Sequence, residues 1–423
     1  MSRAVASTAA ADQGYFFADV RVFDPRTQLD HHGPAWLSRD GQLHLRTEPN
    51  WREVQTIDVV KHAWLVPGLV DLHARMREPG ATHKASIASE ARCALANGVT
   101  SLACPPDTIP CIDSRAIAEL IIERARGAGA ARVHPLGALT RALGEESLSE
   151  MASLRAAGCL AMSNADHGYV NSNLLRRALQ YAATLDLTVF LHPIDRFLSE
   201  DGCAHDGPIS ARLGLPGIPE SAETLALARD LMLIEETGVR AHISRISCAR
   251  SVEMIAQAKK RGLSITADVA ITHLYLNEND LLGFRSNFHL LPPLRTPADR
   301  DALRAGVASG VIDAICSDHA PHDRDAKLAP FPQTEAGAST LDAFFGLSLQ
   351  LVHDGLLSAA QWLQRCAIAP AQILQLPQRD WILLDPNARH RVDAATLLSR
   401  GKNSPFLGWE LQGQVLRSFI GAS

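Results

Sequence analysis

Three ionisable side chains at a spacing of two mark the place where this chain could do chemistry: Asp71, His73 and Arg75, in the run LVPGLVDLHARMREPG. Residues two apart in an extended strand point to the same face, so the three project together. An aspartate and a histidine so placed suit a divalent metal. Arg75 breaks the pattern, because a guanidinium stays protonated and has no lone pair to offer a metal.

More candidates stand at the ends of other apolar runs. Asn164 follows GCLAMS, His192 closes LTVFLH, His242 lies in VRAHIS, and Asp318 follows VIDAIC. Imidazoles and a carboxylate brought together from separate strands are the parts of a metal or proton-transfer site. Ser163, Ser244 and Ser317 stand near the same ends, but none sits in a nucleophile elbow with an identifiable base, which argues against a serine hydrolase. His319 and His322 flank Pro321 and are expected to shape a rigid turn.

The elements that must position these groups alternate. Eight strand-like runs (LVPGLVDLH, VTSLAC, RVHPLGAL, GCLAMS, LTVFLH, VRAHIS, LSITADV and VIDAIC) are separated by segments of helical period such as HKASIASEARCALAN, SNLLRRALQYAAT and SAETLALARDLMLIEETG. That count predicts an α/β fold, a (β/α)8 TIM barrel over residues 66–377, with chemistry at the carboxyl ends of its strands. An open doubly wound sheet would need a glycine-rich phosphate turn after an early strand, and the chain has none. Residues 14–65 and 378–423 read instead as short strands, with a hairpin signal at Asp40 and Gly41, and predict a small β-sandwich formed from both chain termini. Residues 1–13 are expected to be flexible.

With 423 residues, 46% of them hydrophobic, and a net charge of -5, the chain can bury a large core and has no basic stripe for nucleic acid. Its N-terminus is small and polar, and no segment approaches the roughly 18 apolar residues of a membrane span, so a cytoplasmic location is expected. Eight scattered cysteines without a C-x-x-C pair predict small buried hydrophobes, and HDRDAKLAP predicts a solvated loop.

Asp71, His73, Arg77, Glu78, Pro79 and Gly80 together resemble the first-strand signature of the dihydroorotases, amidohydrolase-superfamily enzymes of pyrimidine synthesis. The resemblance extends through GVTSLACPPDT, LPPLRTPADRDAL, SDHAPH and NSPFLGWELQGQV. It implies the same barrel and terminal sandwich. In active members two metals polarise a ring amide and activate a bridging water, using two histidines of strand one, a carboxylate of strand four, a histidine each from strands five and six, and an aspartate of strand eight. Carried onto this chain, His73, His192, His242 and Asp318 keep ligand positions. Arg75 stands where the second histidine belongs and Asn164 where the bridging carboxylate belongs, with Asp166 two residues out of place.

Arg77 and His322 match substrate-binding positions of the family, whereas two substrate-binding asparagines appear as Asp107 and Leu291. The resemblance therefore implies a pseudoenzyme with no cofactor and only vestigial site residues, in which Arg75 fills the space of a metal and pairs with Asp318. Relatives of this kind associate with aspartate transcarbamoylase. The implied role is a non-catalytic subunit on the catalytic chains of that enzyme, as a homodimer within a larger hetero-oligomer. The alternative is a divergent amidohydrolase holding one zinc on His192 and His242, with Asp318 as base. A sensor binding a pyrimidine intermediate through Arg77 is disfavoured by Asp107 and Leu291.

Overall fold

A computed structural model describes residues 13–46 and 48–422. The segment 1–13 lies outside the described residues except for Gln13, which begins a strand.

All eight predicted runs form strands of one parallel barrel. They are Leu69–Asp71, Val99–Cys104, a third strand in two pieces (Arg132–Pro135 and Gly137–Ala138), Ala161–Ser163, Thr188–Leu191, Ala241–Ile243, Ile265–Ala270 and Ala314–Cys316. The barrel closes where strand eight returns to strand one. There the Ser317 amide donates to Asp71 Oδ1 at 2.8 Å, and the Arg75 amide to the His319 carbonyl at 2.8 Å. Strands buried on both faces lose polar alternation, and VTSLAC, buried at every position, shows it.

The outer helices start and stop where the sequence says. Before the helix Pro297–Ser309, Thr296 accepts the Asp299 amide while Asp299 accepts the Thr296 amide, Pro297 takes the first helical position, and Gly310 ends the helix at φ 87°. That helix buries Leu303, Gly306 and Val307 against the barrel. All eight cysteines are free thiols, and all but Cys111 are buried.

The two ends of the chain meet in a seven-stranded sheet. Trp64–Pro67 pairs antiparallel with Trp381–Arg391 and parallel with Gln13–Asp24, and the outer strands are Glu410–Phe419 on one side and Leu29–Ser38 with Leu43–His44 on the other. Glu53–Ile57 pairs with Gln13–Asp24 off this path. The turn at Asp40 and Gly41 is present, with Gly41 at φ 87°. Hydrogen bonding makes this one sheet rather than two separate layers. Its strands nevertheless enclose a core of their own, including Phe17, Val22, Leu37, Leu65, Leu383 and Phe419. The sheet must fold back on itself to do so, which produces the sandwich packing expected from the sequence.

Candidate functional site

The residues singled out by spacing converge at the carboxyl ends of the barrel strands, where active barrels keep their chemistry. Arg75 is the first hub. Its Nε donates to Asp107 Oδ2 at 2.7 Å, its Nη2 pairs closely with Asp166, and its Nη1 lies 3.7 Å from Asp318 Oδ1. Pairing with Asp318 is thus the longest of its three contacts. The expected partnership is present, and Asp107 and Asp166, nearer in space, take the hydrogen bonds.

Arg245, which the sequence reading passed over, is the second hub. Its buried guanidinium pairs with Asp166 and donates to Asp318 Oδ1 at 3.2 Å. Two guanidinium groups and three carboxylates therefore form one network across the mouth. Burial works against both arginine charges, but Asp166 and Asp318 outweigh it at Arg245, as Asp107, Asp166 and Asp318 do at Arg75, and both remain cationic. Burial also opposes the Asp166 charge, yet Arg245 and Arg75 hold that carboxyl well below its usual range. Asp318 goes the other way, because burial exceeds the pull of the same two arginines.

The histidines stand around this network. His73 Nε2 is 3.6 Å from Asp318 Oδ1 and His192 Nε2 is 4.0 Å from Asp166 Oδ1, and neither nitrogen has a hydrogen-bond partner among the described residues. Burial, followed by Arg245, pushes His192 down to about 4 and His73 well below its ordinary value. His242 faces elsewhere: its ring nitrogens meet Thr266 Oγ1 at 2.8 Å and Asp268 Oδ2 at 3.0 Å. Asn164 is also committed, its Oδ1 accepting the amides of Leu139 and Thr140 and its Nδ2 donating to Thr140 Oγ1.

This donor set does not fit the two-metal centre that the fold implies. Of the ligand positions, only His73 and His192 present a free nitrogen; Asn164 and His242 are occupied by protein partners, and two fixed cations lie on the carboxylates a metal would need. Among the described residues, no group of three or more His, Cys, Asp or Glu side chains is placed to hold a metal ion.

The substrate-side residues are likewise engaged. Arg77 donates to the Pro321 carbonyl at 2.9 Å and faces His322 Nε2 at 2.9 Å, while His322 Nε2 also lies 2.9 Å from the Ala336 carbonyl. Burial and the Arg77, Lys327 and Lys84 charges push His322 down to about 2, so its ring is neutral. Leu291 lines a cleft of about 740 Å³ beside Asp166 and Phe197. The candidate serines are structural: Ser163 Oγ accepts the Ala165 amide, and Ser317 Oγ accepts that of His319. His319 binds buried Glu90 at 2.8 Å. The segment HDRDAKLAP is mostly exposed, but its Lys327 is anchored to the Ser286 carbonyl at 3.3 Å.

Four residues around the barrel mouth have a left-handed backbone. Arg77, Ala165, Arg245 and Asp318 all have φ between 47° and 60°, a region that non-glycine residues seldom occupy and that clusters at functional sites.

A family model described as dihydro-orotase-like matches residues 63–251. A "Dihydroorotase-like protein" of Pseudomonas aeruginosa is 48% identical over 95% of this chain and 96% of its own length. The chain belongs to the dihydroorotase-like family. A "Dihydroorotase" of Desulfotalea psychrophila is 38% identical, covering 95% of this chain and 96% of its own. Among solved structures, L-hydantoinase (dihydropyrimidinase) from Arthrobacter aurescens superposes with a TM-score of 0.82 at 20% identity, over 97% of this chain and 95% of that one. That likeness carries the fold alone: a barrel with a sheet domain built from the termini.

Proposed function

We propose that this member of the dihydroorotase-like family is catalytically inactive, a metal-free barrel that acts as a structural and assembly subunit for aspartate transcarbamoylase in cytoplasmic pyrimidine biosynthesis. The observation that carries this reading is the bracing of Asp166 and Asp318 by Arg75 and Arg245. A hydrolase of this class needs carboxylates free to meet metal and water. Here each such carboxylate is held by guanidinium, which occupies the side that a metal or a water would have to reach. Preserved fold signatures beside a rebuilt site fit selection for assembly. The chain would act as a homodimer on the catalytic chains of aspartate transcarbamoylase.

The alternative, a one-zinc amidohydrolase on His192, His242 and Asp318, has less support because both ring nitrogens of His242 already have partners. The deciding experiment is the metal content of the purified chain together with dihydroorotate hydrolysis and carbamoyl-aspartate cyclisation in added zinc. Trace metal and no turnover, with co-purification of aspartate transcarbamoylase, are expected. Stoichiometric metal or measurable turnover overturns the proposal.

A further inference from the structure

One outer face of the barrel carries large apolar side chains that are exposed among the described residues. On the helix Ser221–Thr237, Leu225 is 58% and Met232 71% exposed. They lie seven residues, or two turns, apart on one line, with Ala228 between them. Phe197, 64% exposed, and Val170, 51% exposed, stand on segments hydrogen-bonded to the same helix. Val170 and Phe197 line the same cleft, and the Tyr169 carbonyl beside Val170 accepts a hydrogen bond from Arg229 of the helix. The short helix Arg196–Ser199 is fixed next to the start of the long one by the Asp195 amide, which donates to the Ala222 carbonyl at 2.7 Å. Single exposed apolar residues are common on soluble proteins, whereas a patch spanning several elements marks an interaction surface.

We propose that this face is the interface between two copies of the chain, with the helices Ser221–Thr237 packed antiparallel about a two-fold axis at Ala228 and Arg229. The spacing is self-complementary. An axis at that point sets Leu225 of one copy on Met232 of the other, and small Ala228 at the centre lets the helices approach closely. Charge agrees with the same axis. Exposed Arg196 and half-buried Glu220 stand at the start of the helix, and Glu236, paired with Arg176 at 2.6 Å, at its end. The two-fold brings start against end, so Arg196 meets Glu236 and Glu220 meets Arg176, while the helix dipoles run in opposite directions. This deepens the homodimer part of the proposed function and rests on it, but is independent of whether the site is catalytic.

The test uses the purified full chain. Light scattering during size exclusion is expected to give twice the 45.7 kDa chain mass, and a Leu225→Glu/Met232→Glu variant is expected to run as monomer. Arg196→Glu is expected to raise the dimer dissociation constant at least tenfold, and adding Glu236→Arg to restore it. As a check that does not depend on weakening the protein, a Leu225→Cys/Met232→Cys variant should form a covalent dimer under mild oxidation. The two positions are about 10 Å apart along one helix, too far for a bond within a chain. A monomeric wild type, a dimer indifferent to the glutamates, or absence of the crosslink overturns the inference. A monomer that loses aspartate transcarbamoylase binding on Met232→Glu assigns the face to that partner and overturns it equally. None of these results changes the metal and turnover measurements on which the non-catalytic reading depends.

Discussion

Arg245 carries more of the site than its neighbours suggest, because it is the fully buried partner of both Asp166 and Asp318. Replacing Arg245 with Met leaves Asp166 to Arg75 alone and Asp318 to longer contacts. Removing one side of a buried ion pair costs about 3–5 kcal/mol, so the Arg245→Met variant should show a loss of that order in urea unfolding. For the same reason Arg75→His with Asn164→Asp should fail to bind zinc, since the Arg245 cation still lies on the two carboxylates; zinc uptake by that double variant, read by elemental analysis, is the contrary outcome. Arg75 was legible from the sequence because it keeps the spacing of two after Asp71 and His73, just beyond the strand Leu69–Asp71. Arg245 was not. It falls three residues after His242, out of the strand period, and only its left-handed backbone at φ 55° turns it into the mouth. Asp107 and Asp166 were placed at the site from the sequence, but their pairing with the arginines was hidden, since both lie on loops whose course no periodicity fixes.

At the scale of elements, the hairpin at Asp40 and Gly41 is where the terminal sheet meets the chain's other end. Gly41 has φ 87°, and a Cβ there would come within 2.0 Å of the Arg379 carbonyl oxygen, which is backbone and cannot swing away. Gly41→Ala should therefore destabilise by more than the roughly 0.4–1 kcal/mol that such replacements gain where the backbone suits them, seen as a lowered urea midpoint. The hairpin, the eight barrel strands and the main helices were all readable, because each announces itself locally through period, caps and turn residues. The pairing of the terminal strands into one folded-back sheet was not. Strand partners there are chosen across the whole chain, as with Leu65 against Leu383, and a short run of alternating residues does not name its neighbour.

The whole molecule should respond to acid through its buried imidazoles. Burial, as the leading cause, pushes His134, His192, His273 and His289 down to about 4 and His322 to about 2. A depressed histidine contributes stability that is present above its unfolded value, about 6.5, and lost as pH falls towards its folded value. Asp71 and Asp230, raised by burial to about 6, act in the opposite direction, losing their contribution as pH rises through that value. The five histidines outnumber the two aspartates, so the urea midpoint should fall between pH 6.5 and 4, with net proton uptake on unfolding. A flat or rising midpoint over that window would contradict the assignment of these rings as neutral.

The sheet shared by both termini also sets a timetable for synthesis. The strand Trp64–Pro67 lies between Gln13–Asp24 and Trp381–Arg391, and its second partner is made more than three hundred residues later. At about 5–20 residues per second, a ribosome takes roughly 15–60 s to deliver it. Throughout that interval the nascent chain presents an open strand edge, ready to pair with the wrong neighbour on the same polysome. The next-to-last strand to leave the tunnel is thus the one that covers the open edge of Trp64–Pro67.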